Sequence, residues 1–402
     1  MKSSFKKFIE KFIEGILFLS GSITTITVLL IVIFLFREGS GLFKNSTIEK
    51  GFVLAVNKSN PVKELSSYQI KEIFDQKITS WNEVGGSNAP IQLFHVEDIT
   101  NFYTEDQLGS DFENMPRLLN AVIDSIPNII AFVPEMYLDK SFSGRILPEK
   151  KLTLKEFFFG KEWYPTSQPA AQFGSLPLIT GTLWVSLWAI IISLPLGLSV
   201  SIYMAEIANP KVRNMLKPVI ELLAGIPSVV YGFFGLIVIV PAIQKLFNLP
   251  VGETALAGSI ILAIMALPTI ITISEDAIRT TPRSMKEASL ALGASHWQTI
   301  YKVVIPYSSS GIAAAAILGI GRAIGETMAV LMVTGNAAIM PTTLLEPVRT
   351  IPATIAAEMG EAPQGGVHFQ ALFALGALLF IMTLLINLLV DYITNKKKLS
   401  KR

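Results

Sequence analysis

Hydrophobic positions in this chain do not alternate at short range. They come in long unbroken runs, separated by polar segments of very unequal length. Runs at 16–36, 178–204, 219–243, 254–274, 309–333 and 369–390 are each long enough to cross a bilayer, which takes about 20 apolar residues. Between the first and second lies a stretch of mixed pattern, 37–177. There Phe52–Val56 reads as a strand, Asn60-Pro61 as a turn, and 66–74 as a short helix with Leu65, Ile70, Ile73 and Phe74 on its apolar side. Gly85-Gly86 turns the chain into a second strand at 91–94. The predicted fold is an all-α polytopic membrane protein of six transmembrane helices, with a small α/β insert between helices 1 and 2. Its expected parts are 1–37, the N-terminus and first helix; 38–165, the insert; 166–395, five helices with a polar loop at 275–306; and 396–402, a basic tail.

Composition narrows the class. Hydrophobic residues make up 51% of the chain and charged residues only 16%, and mean hydropathy is +0.51, which excludes a soluble enzyme. With no cysteine, disulfides and thiolate metal sites are excluded. The three histidines, His95, His296 and His368, form no ligand spacing. A net charge of +2 gives no reason to expect nucleic acid.

Where the charges fall says more than their sum. Lys2, Lys6, Lys7 and Lys11 precede the first run, and Lys211, Arg213 and Lys217 follow the second. Arg279, Arg283, Lys286 and Lys302 lie in the 275–306 loop; Lys396, Lys397, Lys398, Lys401 and Arg402 close the chain. The short opposite connections offer only Lys245 and Arg349. The positive-inside rule then puts both termini and the 275–306 loop in the cytoplasm, and the insert outside. The first run is too long, and lacks the small-residue cleavage site, for a removable signal peptide; an uncleaved anchor is expected.

The 275–306 loop is ordered beyond what a connection needs. Glu287-Ala288-Ser289 is followed after three residues by Gly293, then by Val303-Val304-Ile305-Pro306. An amphipathic helix, a glycine bend, a second short helix and a proline stop are predicted. The loop is either a docking knob or an interfacial segment without a partner. Its spacing resembles the coupling loop of ATP-binding-cassette importer permeases, written EAA, three residues, G, nine residues, I-x-L-P, with Ser289, Val303 and Ile305 as mild departures. The resemblance implies that a separate ATPase subunit grips Glu287, Ala288, Ser289, Gly293 and Pro306.

The insert has a resemblance of its own. Val56–Val62, followed by Ile73-Phe74, Lys77-Ile78-Thr79 and Trp81–Gly86, is similar to part of a periplasmic phosphate-binding protein, with 130–138 as a later strand. No Ser-Gly-Thr loop stands between Phe94 and Phe132 to clasp an anion. Glu97, Asp98, Glu105, Asp106, Asp111 and Glu113 stand there instead and would repel phosphate. A degenerate lobe that docks or stabilises is expected.

Further stretches resemble the PstC family of phosphate-importer permeases: Phe173–Pro177 with Thr180–Leu183, Glu221–Gly232, the coupling loop, Gly321–Val330 and Gly335-Asn336. The long insert departs from that family's pattern. Membership would imply a PstA-like permease as the other half of the path, a PstB-like ATPase dimer holding ATP and Mg, and a PstS-like phosphate-binding protein. The chain itself has no GxxxxGK[ST] loop, so no ATPase site and no cofactor of its own are expected.

Within the fifth run lies Gly319-Ile320-Gly321-Arg322-Ala323-Ile324-Gly325-Glu326-Thr327. An arginine at bilayer depth costs about 3 kcal/mol on insertion scales, which marks it as a functional candidate. Four residues apart, Arg322 and Glu326 would share a helix face and pair. That pair is either a structural ion pair cancelling its own burial cost or a transport element. In the second reading Arg322 meets the phosphate oxyanion, Glu326 competes for the guanidinium, and Thr327 adds a hydroxyl. Gly311, Ala315 and Gly319, and Gly321, Gly325 and Ala329, put small residues at four-residue steps, where a neighbouring helix can approach. The glycine run follows no strand and has the wrong spacing for a dinucleotide site. Ser228 either lines the path or satisfies backbone near Pro227, while Glu221 is expected at the cytoplasmic interface. Pro195, Pro227 and Pro268 are either kinks or packing features. A permease for another oxyanion or an organic solute, and an anchored sensor without flux, remain open on the sequence.

Overall fold

The computed structural model describes residues 2–109, 111–138 and 142–399. Lys401 and Arg402, counted above in the basic tail, lie outside the described residues. The chain separates into two compact units. One gathers the residues up to Gly39, Leu176–Gln364 and those from Leu372 onward; the other comprises Ser40–Ser175 and Gly365–Ala371.

The first unit is helical. Lys11–Phe43, Leu176–Ile207, Ser228–Phe247, Ala255–Arg279 and Val367–Leu389 are long and apolar enough to span a membrane. A further pair, His296–Tyr307 with Ser309–Gly325, passes the same test only as a segment bent by 68°. The Ala255–Arg279 helix is the centre of the unit. Thr254 caps it by accepting from the amide of Ala257 at 3.3 Å, and Ala257, Ile261, Leu262, Met265, Ala266 and Ile270 along it are all buried. Leu176–Ile202 packs along one side through Val185 and Ala189, and Ala323, Ala329, Val330 and Val333 close the cluster from the other. Gly197 allows this approach, because a Cβ there would meet Ile270 Cγ2 at 2.7 Å. The first helix, by contrast, buries nothing over its apolar window. Its end alone touches the last helix, with Phe34 edge-on to Phe373 at 5.4 Å. Such a surface is stable only in hydrocarbon or against other subunits.

Two predicted spans are corrected. The run 219–243 is not one helix: Pro210–Gly225 ends at Ile226, and a new helix starts at Ser228. Pro227 is its N-cap rather than an interior kink, whereas Pro195 and Pro268 do lie inside their helices. The first piece has the signals of a separate surface helix, with Pro210 at its first position and Asn209 accepting from the amide of Val212 at 2.9 Å. The run 309–333 is also broken. Ser309–Gly325 ends at Glu326, whose backbone is extended (φ −70, ψ 131), and Met328–Val333 follows as a short helix. Long apolar runs report hydrophobicity but not the break, because Glu326-Thr327 leaves both flanks apolar.

The second unit is a small α/β body. Its mixed sheet contains β1 (Phe52–Val56), β2 (Gln92–His95), β3 (Ile129–Pro134) and β4 (Arg145–Ile146), in the order β2-β3-β1-β4. β2 runs parallel to β3, while β1 is antiparallel to both β3 and β4. The helix Ser67–Phe74 begins in a capping box between Ser66 and Gln69. One sheet face buries Leu54, Val56, Ile70, Ile73, Trp81 and Ile130. The other buries Ala55, Phe94, Leu119, Ile123, Ala131 and Val133, with the helix Met115–Ser125 that the pattern analysis missed.

Candidate translocation segment and coupling loop

The 275–306 loop folds as a hairpin of short helices whose bend is set by one backbone position. Arg283–Ala291 is closed by Leu292, and Gly293 follows with φ +85. The amide of Gly293 donates to Leu290 O at 2.9 Å and that of Ala294 to Ser289 O at 3.2 Å. These are the two bonds of a Schellman termination, which requires a left-handed residue just past the cap. The four-residue step from Ser289 to Gly293 is the span of that motif. After the bend, Ser295 and Gln298 form a capping box for His296–Thr299, and the Ser289 hydroxyl meets the Thr299 hydroxyl at 2.9 Å across the hairpin.

The two halves differ in how they are held. Thr299, Ile300 and Val304 are buried. The helix Arg283–Ala291 has no buried residue, and Glu287 and Ala288 face outward with Ser289 half-buried. Leu290, Leu292, Trp297 and Tyr301 are exposed at 44%, 89%, 61% and 65%, an apolar surface on a polar loop. Pro306 does not stop the second helix, which runs on to Tyr307; the sharp turn falls at Ser308, buried and donating to Val304 O at 2.5 Å.

Ion pairs that the sequence did not single out surround the hairpin's base. Glu275, 1% exposed, lies 3.5 Å from Arg279 and 3.9 Å from Lys217, and Lys217 also lies 3.8 Å from Asp276. Lys286 reaches Glu206 at 2.5 Å, with side-chain exposures of 23% and 7%. These residues entered the sequence reading, where they entered at all, as markers of membrane side. Partner choice between positions 80 residues apart leaves no periodic trace.

In the broken fifth segment, Arg322 is on the Ser309–Gly325 helix while Glu326 lies beyond its end, so the predicted pairing on one face is wrong. Among the described residues no ion pair or hydrogen bond engages the Arg322 side chain. Glu326 Oε1 instead accepts from the amide of Ala329 at 3.4 Å, at the start of the short helix, and the Thr327 hydroxyl donates to Gly325 O at 3.3 Å. All three side chains are half-buried. The Tyr231 hydroxyl donates to Leu223 O at 2.7 Å. Gly232, one turn past Ser228, would put a Cβ 3.0 Å from Ala329 Cα. The helix begun by Ser228 is thus packed against the segment that follows the break.

The rows of small residues divide by environment. A Cβ on Gly311 would meet Ala277 Cβ at 2.3 Å and one on Gly319 would meet Ile270 at 3.1 Å, whereas Gly321 and Gly325 have nothing within 4 Å. The first row is a contact inside this chain; in the second, Gly321 and Gly325 face open space while Ala329 is buried. Between the short helix and the last span, Arg349 is paired with Glu358 at 2.8 Å and donates to Asn336 O at 2.8 Å.

In the insert, a cavity of about 450 Å³ is lined by Glu49, Asp75, Glu97, His95 and the rings of Phe52 and Phe132. Asp98, expected to repel an anion, accepts from the amide of His95 at 2.7 Å and so closes the end of β2.

The family model for the inner membrane component of binding-protein-dependent transport systems matches residues 197–398. A PBP superfamily domain matches residues 38–182. The chain is 42% identical over 243 residues to the probable ABC transporter permease protein YqgH of Bacillus subtilis, covering 60% of this chain and 78% of that protein. It is 38% identical over 255 residues to the phosphate transport system permease protein PstC of Mesorhizobium japonicum, covering 59% and 77%. Among solved structures, the MetNI methionine ABC transporter in inward-facing conformations is similar at 21% identity and a TM-score of 0.42, covering 56% of this chain and 94% of that one.

Proposed function

The chain belongs to the family of inner membrane components of binding-protein-dependent transport systems, and from that membership we propose that it is the permease subunit of an ATP-driven phosphate importer. In this reading it forms one half of the translocation path, with a PstA-like permease as the other half. A PstB-like ATPase dimer, carrying ATP and Mg, docks on the hairpin at Glu287, Ala288, Ser289, Gly293 and Pro306. A PstS-like protein delivers phosphate from outside, and both termini lie in the cytoplasm.

The observation that carries the coupling role is the hairpin itself. A connection between spans that is closed by a Schellman bend and exposes Leu292 and Trp297 to water has the order and the apolar surface of a docking element. Phosphate is supported by the relatives' printed function and by Arg322. That residue is the only Lys or Arg in 309–333, and Glu326 accepts from the amide of Ala329 rather than pairing with its guanidinium. We assign it, with Thr327 and Ser228, to the substrate path. Closure of the ATPase dimer would draw on the hairpin and rotate the helices it joins.

The test is uptake of labelled phosphate into proteoliposomes holding the assembled complex and internal ATP. Phosphate flux that excess sulfate and molybdate leave intact supports the assignment. Flux suppressed by either competitor reassigns the substrate, and binding without any ATP-dependent flux removes the transport reading.

A further inference from the structure

The helix that carries Glu287 and Ala288 buries no residue, so apolar packing grips it less than the other half of the hairpin, to which Ser289 joins it through Thr299. Its one charged tie, among the described residues, is Lys286 to Glu206 at 2.5 Å. Glu206 is 7% exposed and lies in the widened turn Tyr203–Ile207 that ends the second span. In that turn the amide of Ala208 donates to Tyr203 O at 2.7 Å, one residue further back than in an α-helix. The other half of the hairpin is held differently, by burial of Ile300 and Val304. The hairpin therefore has one greasy anchor and one electrostatic tie, and the tie leads to the second span.

We infer that the Glu206–Lys286 pair is a positioning tie that transmits displacement of the coupling hairpin to the second transmembrane helix. A charge pair with a buried carboxylate resists separation in any direction, because parting the charges leaves Glu206 desolvated without its cation. A widened turn can take up or release one residue without unwinding the helix. The tie and the turn together make a joint that is stiff in tension and adjustable in register. This role rests on the importer reading for its meaning but not for its geometry.

The experiment uses the assembled complex in proteoliposomes and reads phosphate taken up per ATP hydrolysed, at matched amounts of co-purified ATPase. For Glu206→Gln and Lys286→Met this ratio is expected to fall by roughly tenfold. The exchange Glu206→Lys with Lys286→Glu is expected to recover most of it. A purely structural pair would lower the yield of complex and leave the ratio unchanged. Unchanged ratios in both single variants, or an exchange no better than either one, would overturn the inference. A second readout does not need phosphate. The chain has no native cysteine, so Glu206→Cys with Lys286→Cys can be bridged by a short bifunctional maleimide. The bridge then stands in for the ion pair, so nucleotide-driven displacement of the second span that is lost in the unbridged double variant and restored on bridging supports the tie. Displacement that is unchanged by loss of the pair, or not restored by the bridge, overturns it. If the wild-type complex moves no phosphate but the bridge still restores that displacement, the importer reading fails and the tie stands.

Discussion

Replacing Gly293 isolates the backbone requirement of the hairpin from any question of room. Its φ is +85 and a Cβ there would have nothing within 4 Å, so substitution meets no clash and the whole cost is conformational. Holding a residue with a side chain in the left-handed region costs about 1–2 kcal/mol, which moves a local equilibrium by roughly 5- to 30-fold. Nothing on the first helix is buried to offset that cost. Gly293→Ala is therefore expected to depopulate the closed hairpin, and Gly293→Leu to do so by the same amount. Gly293→Asn should lose less, since asparagine tolerates this region. The measurement is ATP-driven phosphate uptake by the reconstituted complex, with retention of the ATPase subunit scored in parallel. Alanine at wild-type uptake, or asparagine worse than alanine, would refute the reasoning. Leucine much worse than alanine would show that space, not backbone, is what Gly293 supplies.

Other expectations follow from the same geometry. Arg322→Gln should lower phosphate uptake on the order of tenfold or more, the loss of one charged hydrogen bond worth about 1.5–3 kcal/mol, while Arg322→Lys keeps part of it; unchanged uptake in assembled Arg322→Gln would remove the residue from the path. Gly311→Val should destabilise this subunit by about 1–3 kcal/mol of overpacking against Ala277, whereas Gly321→Val should leave its melting temperature unaltered and instead weaken assembly with the second permease. Both readouts come from thermal shift and co-purification. Backbone amides of Thr342 and Thr343, with the Thr342 hydroxyl, hold the Glu346 carboxyl below its ordinary range. A lowered folded pKa means that the order it gives is complete above the unfolded value of about 4.3 and is lost as pH falls through the folded one. Hydrogen exchange at Thr342 and Thr343 should quicken in that acid window, and Glu346→Gln should make it fast at every pH.

Much of this was legible because hydrophobic length and local capping act at short range. The spans at 16–36, 178–204, 254–274 and 369–390 each fall within a helix of the structure, since a run of apolar residues satisfies its backbone only by closing its own hydrogen bonds. The hairpin was readable for a related reason. Capping and left-handed bends depend on residues within six positions of each other, so Ser289 and Gly293 report their geometry directly. The breaks at Ile226-Pro227 and Glu326-Thr327 were not readable as such, because the apolar pattern continues across both.

The sequence alone determined a polytopic membrane chain with a polar insert and an ordered hairpin between two spans, since hydropathy and cap chemistry are properties of neighbouring residues. Tertiary structure alone decided which charges meet. It separated Glu326 from Arg322, joined Lys286 to a glutamate 80 positions earlier, and buried Glu275 between Lys217 of another helix and Arg279 of its own. It also turned one row of glycines inward against Ala277 and Ile270 and left the other facing open space. Such pairings are set by helix packing across the whole unit, and electrostatic reach in a low-dielectric interior depends on distance in space rather than on separation along the chain.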